Sequence, residues 1–296
     1  MKERDLYCDG LKFIMICLVV FGHITHPDYN EFVATKFIYA FHMPVFVFLS
    51  GYFSSAVADM GKFIKMLAKL LCVYVVTQIV LNLISFAIGD ELTLTRMLCL
   101  TPRFTLWYVF SLVIWRIMLR LVVSKLNLWL TFAGSVGLAL LAGFVPIDLT
   151  FAFQRVFAFM PFFLLGYIFR EYKLMSRLET ISELPFIAIF VIGLFAAIYL
   201  PIYMPELHYA IVSDILVRAM QTLLGFALCL SVVRMSRCGY VKCFAKYGRH
   251  TLWIYIGHTI MITIQNPVLQ YWGITMNPML AVLLSTTYVL SMVALA

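Results

Sequence analysis

The sequence predicts an all-α, polytopic integral membrane protein of about ten transmembrane helices, with both termini in the cytoplasm. Three observations carry this expectation. Of 296 residues, 64% are hydrophobic and only 12% charged, and the mean hydropathy is +0.98. Soluble domains carry about 25% charge, so this chain lacks the side chains to clothe a water-facing surface. Apolar runs close to the ~20 residues that cross a bilayer recur along the chain, whereas the ~10-residue alternating segments of a β-barrel are absent. The basic residues are also asymmetric. With the N-terminus inside, the outer loops hold Lys36, Arg96, Arg103, Arg155 and Arg218, Lys12 lies in the first span, and the remaining sixteen of 22 face inward. The acids divide about evenly, which makes this the positive-inside pattern. The net charge of +8 then follows from orientation and anionic lipid, with no nucleic-acid partner needed.

The spans follow in order. The first, Leu11–Thr25, has no small-residue cleavage site after its apolar stretch and reads as a retained helix. It holds Asp9, Lys12, His23 and His26 in or beside it. Lys12 and His23 are eleven residues apart, which at about 100° per residue places them on one face, ~16 Å apart along the axis. Asp9 lies one turn before Lys12 and can pair with it. Ionisable groups in a bilayer are costly and mark a site or a pathway. The alternative is that Lys12 snorkels to the inner headgroups and His23 is a helix–helix hydrogen-bonding residue. The second span, Phe37–Ser55, opens on the outer side with His42, and its Ser50 reads as packing beside Gly51.

The third span, Met66–Ile88, leads into the longest outer segment, Gly89–Arg103, whose apolar Met97, Leu98 and Leu100 beside arginines suit an interfacial position. The fourth, Phe104–Val123, starts with Trp107 and Tyr108, which also fit an aromatic belt. The fifth is Leu128–Val145. The sixth, Val156–Phe169, is preceded by Gln154 and Arg155, and the seventh is Pro185–Tyr203. The eighth, Ile215–Val233, opens with Asp214 and Arg218, four apart, which read equally well as a structural pair. The ninth, Thr251–Leu269, follows Arg249 and carries Tyr255 and His258 to mid-depth. Pro278–Ala296 is the tenth, and the chain reads as one membrane domain over residues 1–296.

Other chemistries lack support. No P-loop, dinucleotide fingerprint, H-E-x-x-H or G-x-S-x-G motif is present. Of seven cysteines only Cys99 falls outside, so no intramolecular disulfide is expected there. His23 and His26 form an H-x-x-H pair, but no carboxylate or thiol completes a metal set, so no metal is expected.

The stretch DGLKFIMICLVVFGH resembles the opening of the membrane-bound acyltransferase 3 family, whose signature is an Arg or Lys, ten residues, then a His. Here these are Lys12 and His23, with Asp9 at the preceding acidic position. The likeness continues through FHMPVFVFLSGYF (41–53), LWYVFSLVIWR (106–116), RVFAFMPFFLLGY (155–167) and YGRHTLWIYIGHT (247–259), in the family's order. It implies an enzyme that moves an acyl group, commonly acetyl, from cytoplasmic acyl-CoA to a hydroxyl. The acceptor is a sugar of a surface polysaccharide, glycolipid or related glycan on the outer side. The short form looks most like sugar O-acetylases of the fucose 4-O-acetylase group, in a bacterial cytoplasmic membrane. By the same resemblance His23 is the catalytic histidine, Lys12 its basic partner near the donor, and Asp9 the acid beside it. His42, Trp107, Arg155 and His258 fall in the matching blocks as substrate contacts. Arg249, with Lys12, is a cation suited to CoA phosphates. No permanently bound cofactor is implied, and a separate glycan-assembly protein is a conceivable partner. Two other classes stay open: a secondary transporter using the Asp9, Lys12 and His23 face, although the two halves show no repeat symmetry, and a structural membrane subunit.

Overall fold

The computed structural model describes residues 5–25, 33–55, 59–90, 92–123, 126–144, 150–199, 213–237 and 239–295. His26 lies outside them. Among the described residues every regular element is a helix. All ten expected segments are helical: α1 (Leu6–Ile24), α2 (Val33–Tyr52), α3 (Met60–Ala87), α5 (Trp107–Met118), α6 (Leu128–Leu141), α7 (Phe153–Glu171), α9 (Leu184–Tyr199), α10 (Ser213–Met235), α11 (Thr251–Tyr271) and α12 (Pro278–Leu295). Two short helices add to these, α4 (Leu94–Met97) and α8 (Leu174–Thr180), together with a twelve-residue 3₁₀ segment, Gly239–His250.

Several helices begin earlier than hydropathy alone suggests, because a polar cap starts them. Asp5 accepts from the Cys8 N–H at 3.1 Å and starts α1. Asp59 accepts from the Lys62 N–H at 2.7 Å and starts α3. Caps satisfy backbone donors that the first turn leaves open, so the helix runs back past the apolar boundary. Five helices (α1, α2, α3, Asp214–Met235 of α10, and α12) are long and apolar enough to cross a membrane. The α8–α9 pair, bent by 97°, makes a sixth if it counts as one span. At 19 and 21 residues α7 and α11 also have spanning length, but polar side chains interrupt them, and several of these are buried: Gln154 on α7, and His258, Thr259, Thr263 and Gln265 on α11.

Contacts gather the chain into two compact units, Met1–Leu49 with Lys173–Tyr203 and Met220–Ala296, and Ser50–Tyr172 with Met204–Ala219. In the first unit α1 packs on the 3₁₀ segment, α11 and α12. The α1–3₁₀ seam closes backbone to backbone. A Cβ on Gly10 would collide with the Val241 carbonyl, and one on Gly248 with the Asp9 carbonyl. Phe13 fills the remaining space against Tyr247 and Phe244, with ring centroids 5.1 and 6.1 Å away. Arg237 seals the base of the seam, bonding Asp5 at 3.2 Å and Glu179 at 3.3 Å. Arg234 holds the α8–α9 bend by donating to the Ile181 carbonyl and the Glu183 carboxylate, each at 2.8 Å.

The Asp5 carboxyl titrates with the fold. Burial alone raises its pKa, but the Cys8 amide and the Arg237 guanidinium outweigh burial and hold it below the ordinary range. A carboxyl depressed in the folded state stabilises the fold above its unfolded value of about 3.9 and loses that contribution as pH falls through the folded value. Asp5→Asn is therefore expected to lower stability near neutral pH and to flatten its decline below about pH 4. Thermal unfolding in detergent across that range checks it; a decline as steep as wild type contradicts it.

In the second unit α6 packs on α7, and α5 on α3 and α7. A polar stripe on α3, at four-residue spacing, secures the segment between α3 and α5. The Tyr74 hydroxyl donates to Cys99 O at 2.7 Å, Gln78 Nε2 to Thr101 O at 3.0 Å, and Asn82 Nδ2 to Arg96 O at 2.9 Å. The Arg103 N–H returns a bond to Gln78 Oε1 at 3.0 Å. These bonds fix the chain just before α5 begins, while Leu94, Met97 and Leu98 stay exposed. Trp115 donates to Val156 O at 2.9 Å, and Gly51 lets the end of α2 meet the Phe163 carbonyl of α7.

Candidate active site

In the first unit three histidines meet. His23, in the last turn of α1, faces His258 of α11 with their rings 5.3 Å apart and 7° from parallel. His23 Nδ1 and His258 Nε2 are 3.1 Å apart, a direct hydrogen bond between residues 235 apart in the chain. His258 Nδ1 lies 3.0 Å from the carbonyl of Ile254. A carbonyl can only accept, so His258 Nδ1 carries a hydrogen. With both rings neutral, His258 Nε2 then accepts and His23 Nδ1 donates. The tautomer this network assigns to His23 places its basic lone pair on Nε2. His42 is buried in the middle of α2 rather than at its outer mouth, because that helix begins at Val33. Its Nδ1 donates to Ile38 O at 2.7 Å, and its ring stands edge-on to His23 at 6.4 Å.

Tyr39 completes this wall, 4.9 Å from His42 and 6.3 Å from His23 between ring centroids. No motif singles Tyr39 out, but its three-residue spacing from His42 puts both on one helix face. Tyr255 borders the other side, 5.9 Å from His258. Among the described residues, no three His, Cys, Asp or Glu side chains are placed to hold a metal ion.

The opposite end of α1 holds the cations. Lys12 Nζ donates to Asp9 Oδ1 at 3.3 Å, with Asp9 largely buried against the Gly248 seam. That seam brings Arg249 to the same end of α1 as Lys12. Arg249 Nε donates to His250 Nε2 at 2.9 Å, and both border an open pocket of about 530 Å³ with Lys246, Tyr247, Trp253 and Val293. Basic and aromatic groups side by side suit a phosphate joined to a flat ring.

The second unit holds the other expected residues. Trp107, at the start of α5, is buried rather than placed in a lipid-facing belt. The Arg155 guanidinium lies over its ring at 5.2 Å, and Phe159 stacks on it at 5.2 Å. The Tyr108 hydroxyl meets Ser50 Oγ at 2.5 Å, a partner not evident from the Ser50–Gly51 adjacency in sequence. At the head of α10, Arg218 is buried and Asp214 part-exposed.

A family model described as an acyltransferase domain matches residues 5–296. The chain belongs to the acyltransferase 3 family. Within that family it is similar to two curated relatives, both nodulation protein NolL. It is 29% identical to the protein from Mesorhizobium japonicum over 189 residues, 57% of this chain and 49% of that one. It is 27% identical to the protein from Sinorhizobium fredii over 193 residues, 57% of this chain and 50% of that one. This acyltransferase 3 chain thus spans about half the length of the curated relatives it matches. No solved structure matches it.

Proposed function

We propose that this chain is an integral-membrane O-acyltransferase. It moves an acyl group, acetyl above all, from cytoplasmic acyl-CoA to a hydroxyl of an extracytoplasmic or membrane-linked carbohydrate. The observation that carries the reading is the His23–His258 hydrogen bond, in a chain whose family match runs from residue 5 to its last residue. Ten spans with both termini inside fit the positive-inside count and put Lys12 and Arg249 at the cytoplasmic end, in a bacterial cytoplasmic membrane.

The chemistry balances with the groups named. His23 Nε2 takes the proton of the sugar hydroxyl as its oxygen attacks the thioester carbonyl. The carbon–sulfur bond then breaks, and the CoA thiolate recovers the proton from the imidazolium. In a variant of this path Nε2 takes the acyl group as the carbon–sulfur bond breaks and CoA thiolate leaves, and the sugar hydroxyl then takes the acyl group from Nε2, its proton passing to the thiolate. Lys12, steadied by Asp9, and Arg249 face the phosphates of the donor. His42 and Tyr39 bound the reacting space beside His23.

His258 acts through His23 by holding its tautomer. His258→Leu is expected to lower the transfer rate roughly five- to hundredfold, the equivalent of one buried hydrogen bond of about 1–3 kcal/mol. His258→Gln, whose carbonyl can accept from Nδ1–H, recovers part of it. Equal rates for the two variants contradict the tautomer role.

The reading is tested by giving labelled acetyl-CoA to one face at a time of sealed vesicles. Transfer to glycan with release of free CoA, only when the cytoplasmic face is supplied, supports it. Uptake of label with the thioester intact points instead to transport.

A further inference from the structure

Within the second unit, α5 and α7 carry two arginines with too little negative charge around them. Arg116 donates from NH1 to the thioether of Met66 at 3.5 Å, and its Nε is shut away from solvent without an acceptor. Among the described residues no carboxylate reaches it. Its electrostatic neighbours are the Tyr108 phenol and a second guanidinium, Arg170. Arg170 donates to the carbonyl of Ser54, and its nearest acid is Glu171, 4.0 Å away and 43% exposed. Glu171 is itself engaged by the Tyr167 hydroxyl. The Ser50–Tyr108 hydroxyl pair closes the group.

Arg116 and Arg170 are each half-buried, and two like charges that share little solvent and no close anion repel. A buried donor left unmade calls for a missing partner. We infer that Arg116 and Arg170 form a binding site for a phosphate group, with the Ser50–Tyr108 hydroxyls at its edge. Guanidinium forks match phosphate oxygens bidentately, and two of them neutralise a dianion that a single surface lysine could not hold. Both arginines fall on the inner side of the charge count. The phosphate is therefore carried either by the nucleotide end of an acyl-CoA or by the headgroup of an anionic lipid. The first source rests on the proposed acyltransferase activity and the second does not.

The test uses the full chain, purified in neutral detergent or reconstituted in nanodiscs. CoA is titrated against wild type, Arg116→Gln, Arg170→Gln and Arg116→Lys, and thermal unfolding is read. In parallel, native mass spectrometry scores retention of phosphatidylglycerol from nanodiscs of phosphatidylcholine and phosphatidylglycerol. The expected result is at least a tenfold weaker ligand effect in both Gln variants and a smaller loss in Arg116→Lys, which keeps the charge but not the fork. Loss confined to the CoA arm assigns the donor, and loss confined to the lipid arm assigns the headgroup. Should Arg116→Gln fail to fold, Arg170→Gln and Arg116→Lys carry the comparison. Wild type that binds neither ligand, or Gln variants that bind both as wild type does, overturns the site. CoA-thiol release by wild type is measured on the same samples. If it is absent while lipid retention still needs both arginines, the site stands and the acyltransferase reading falls.

Discussion

His23→Ala is expected to reduce acetyl transfer by about 10²–10⁴-fold, the range a positioned general base contributes, and to leave the protein folded. The ring lies in the last turn of α1, and its loss removes the hydrogen bond to His258 and the ring contacts with Tyr39 and His42. The effect belongs to the rate of the chemical step, because Lys12, expected to hold the donor, sits 11 residues away, ~16 Å along the helix. Lys12→Ala is the complement. It breaks the 3.3 Å pair with Asp9 and is expected to raise the KM for acetyl-CoA more than it lowers kcat. Initial rates at varied acetyl-CoA, on samples matched by thermal unfolding, separate the two.

The second large effect is structural. Gly248→Val and Gly10→Val place side chains where Asp9 and Val241 carbonyls already stand. Backbone cannot retreat as a flexible side chain does, so each is expected to cost more than the usual ~1–3 kcal/mol of overpacking. The damage also reaches function, since the same helix carries Asp9, Lys12 and His23, and a shift of about 1 Å in a reacting group can cost ~10²-fold. Gly134→Ala and Gly137→Ala in α6 are the controls: an added Cβ there meets nothing within 4 Å. Replacing a helical glycine by alanine then leaves stability unchanged or raises it by roughly 0.5–1 kcal/mol. Thermal unfolding of the four variants checks this. Seam variants as stable as the α6 variants contradict the close packing.

Much of this was legible in the chain. Hydropathy located the main helices among the described residues, five or six of them long and apolar enough to span, and helical periodicity put Asp9 against Lys12. What it left out depends on partners distant in sequence. Nothing local to His258 indicates that its ring lies parallel to one 235 residues earlier. The polar stripe Tyr74, Gln78 and Asn82 has a readable spacing, but its purpose appears only with the carbonyls of Cys99, Thr101 and Arg96 beside it. Arg116 and Arg170 read as two more inner-side positive charges. That no carboxylate among the described residues reaches Arg116 is a consequence of packing that the sequence does not carry. His42 moved from a helix mouth to mid-helix because its helix starts at Val33, a boundary that an apolar window does not register.

If the proposed activity is correct, cleavage of an acyl-CoA thioester depends on the imidazole at position 23. The most direct measurement is acetyl from labelled acetyl-CoA, recovered on glycan or as acetate, in membrane vesicles containing wild type or His23→Ala at equal abundance. The account predicts label with wild type and its near-complete loss with His23→Ala. Equal label in both preparations, or none in either with native acceptor present and the protein folded, contradicts it.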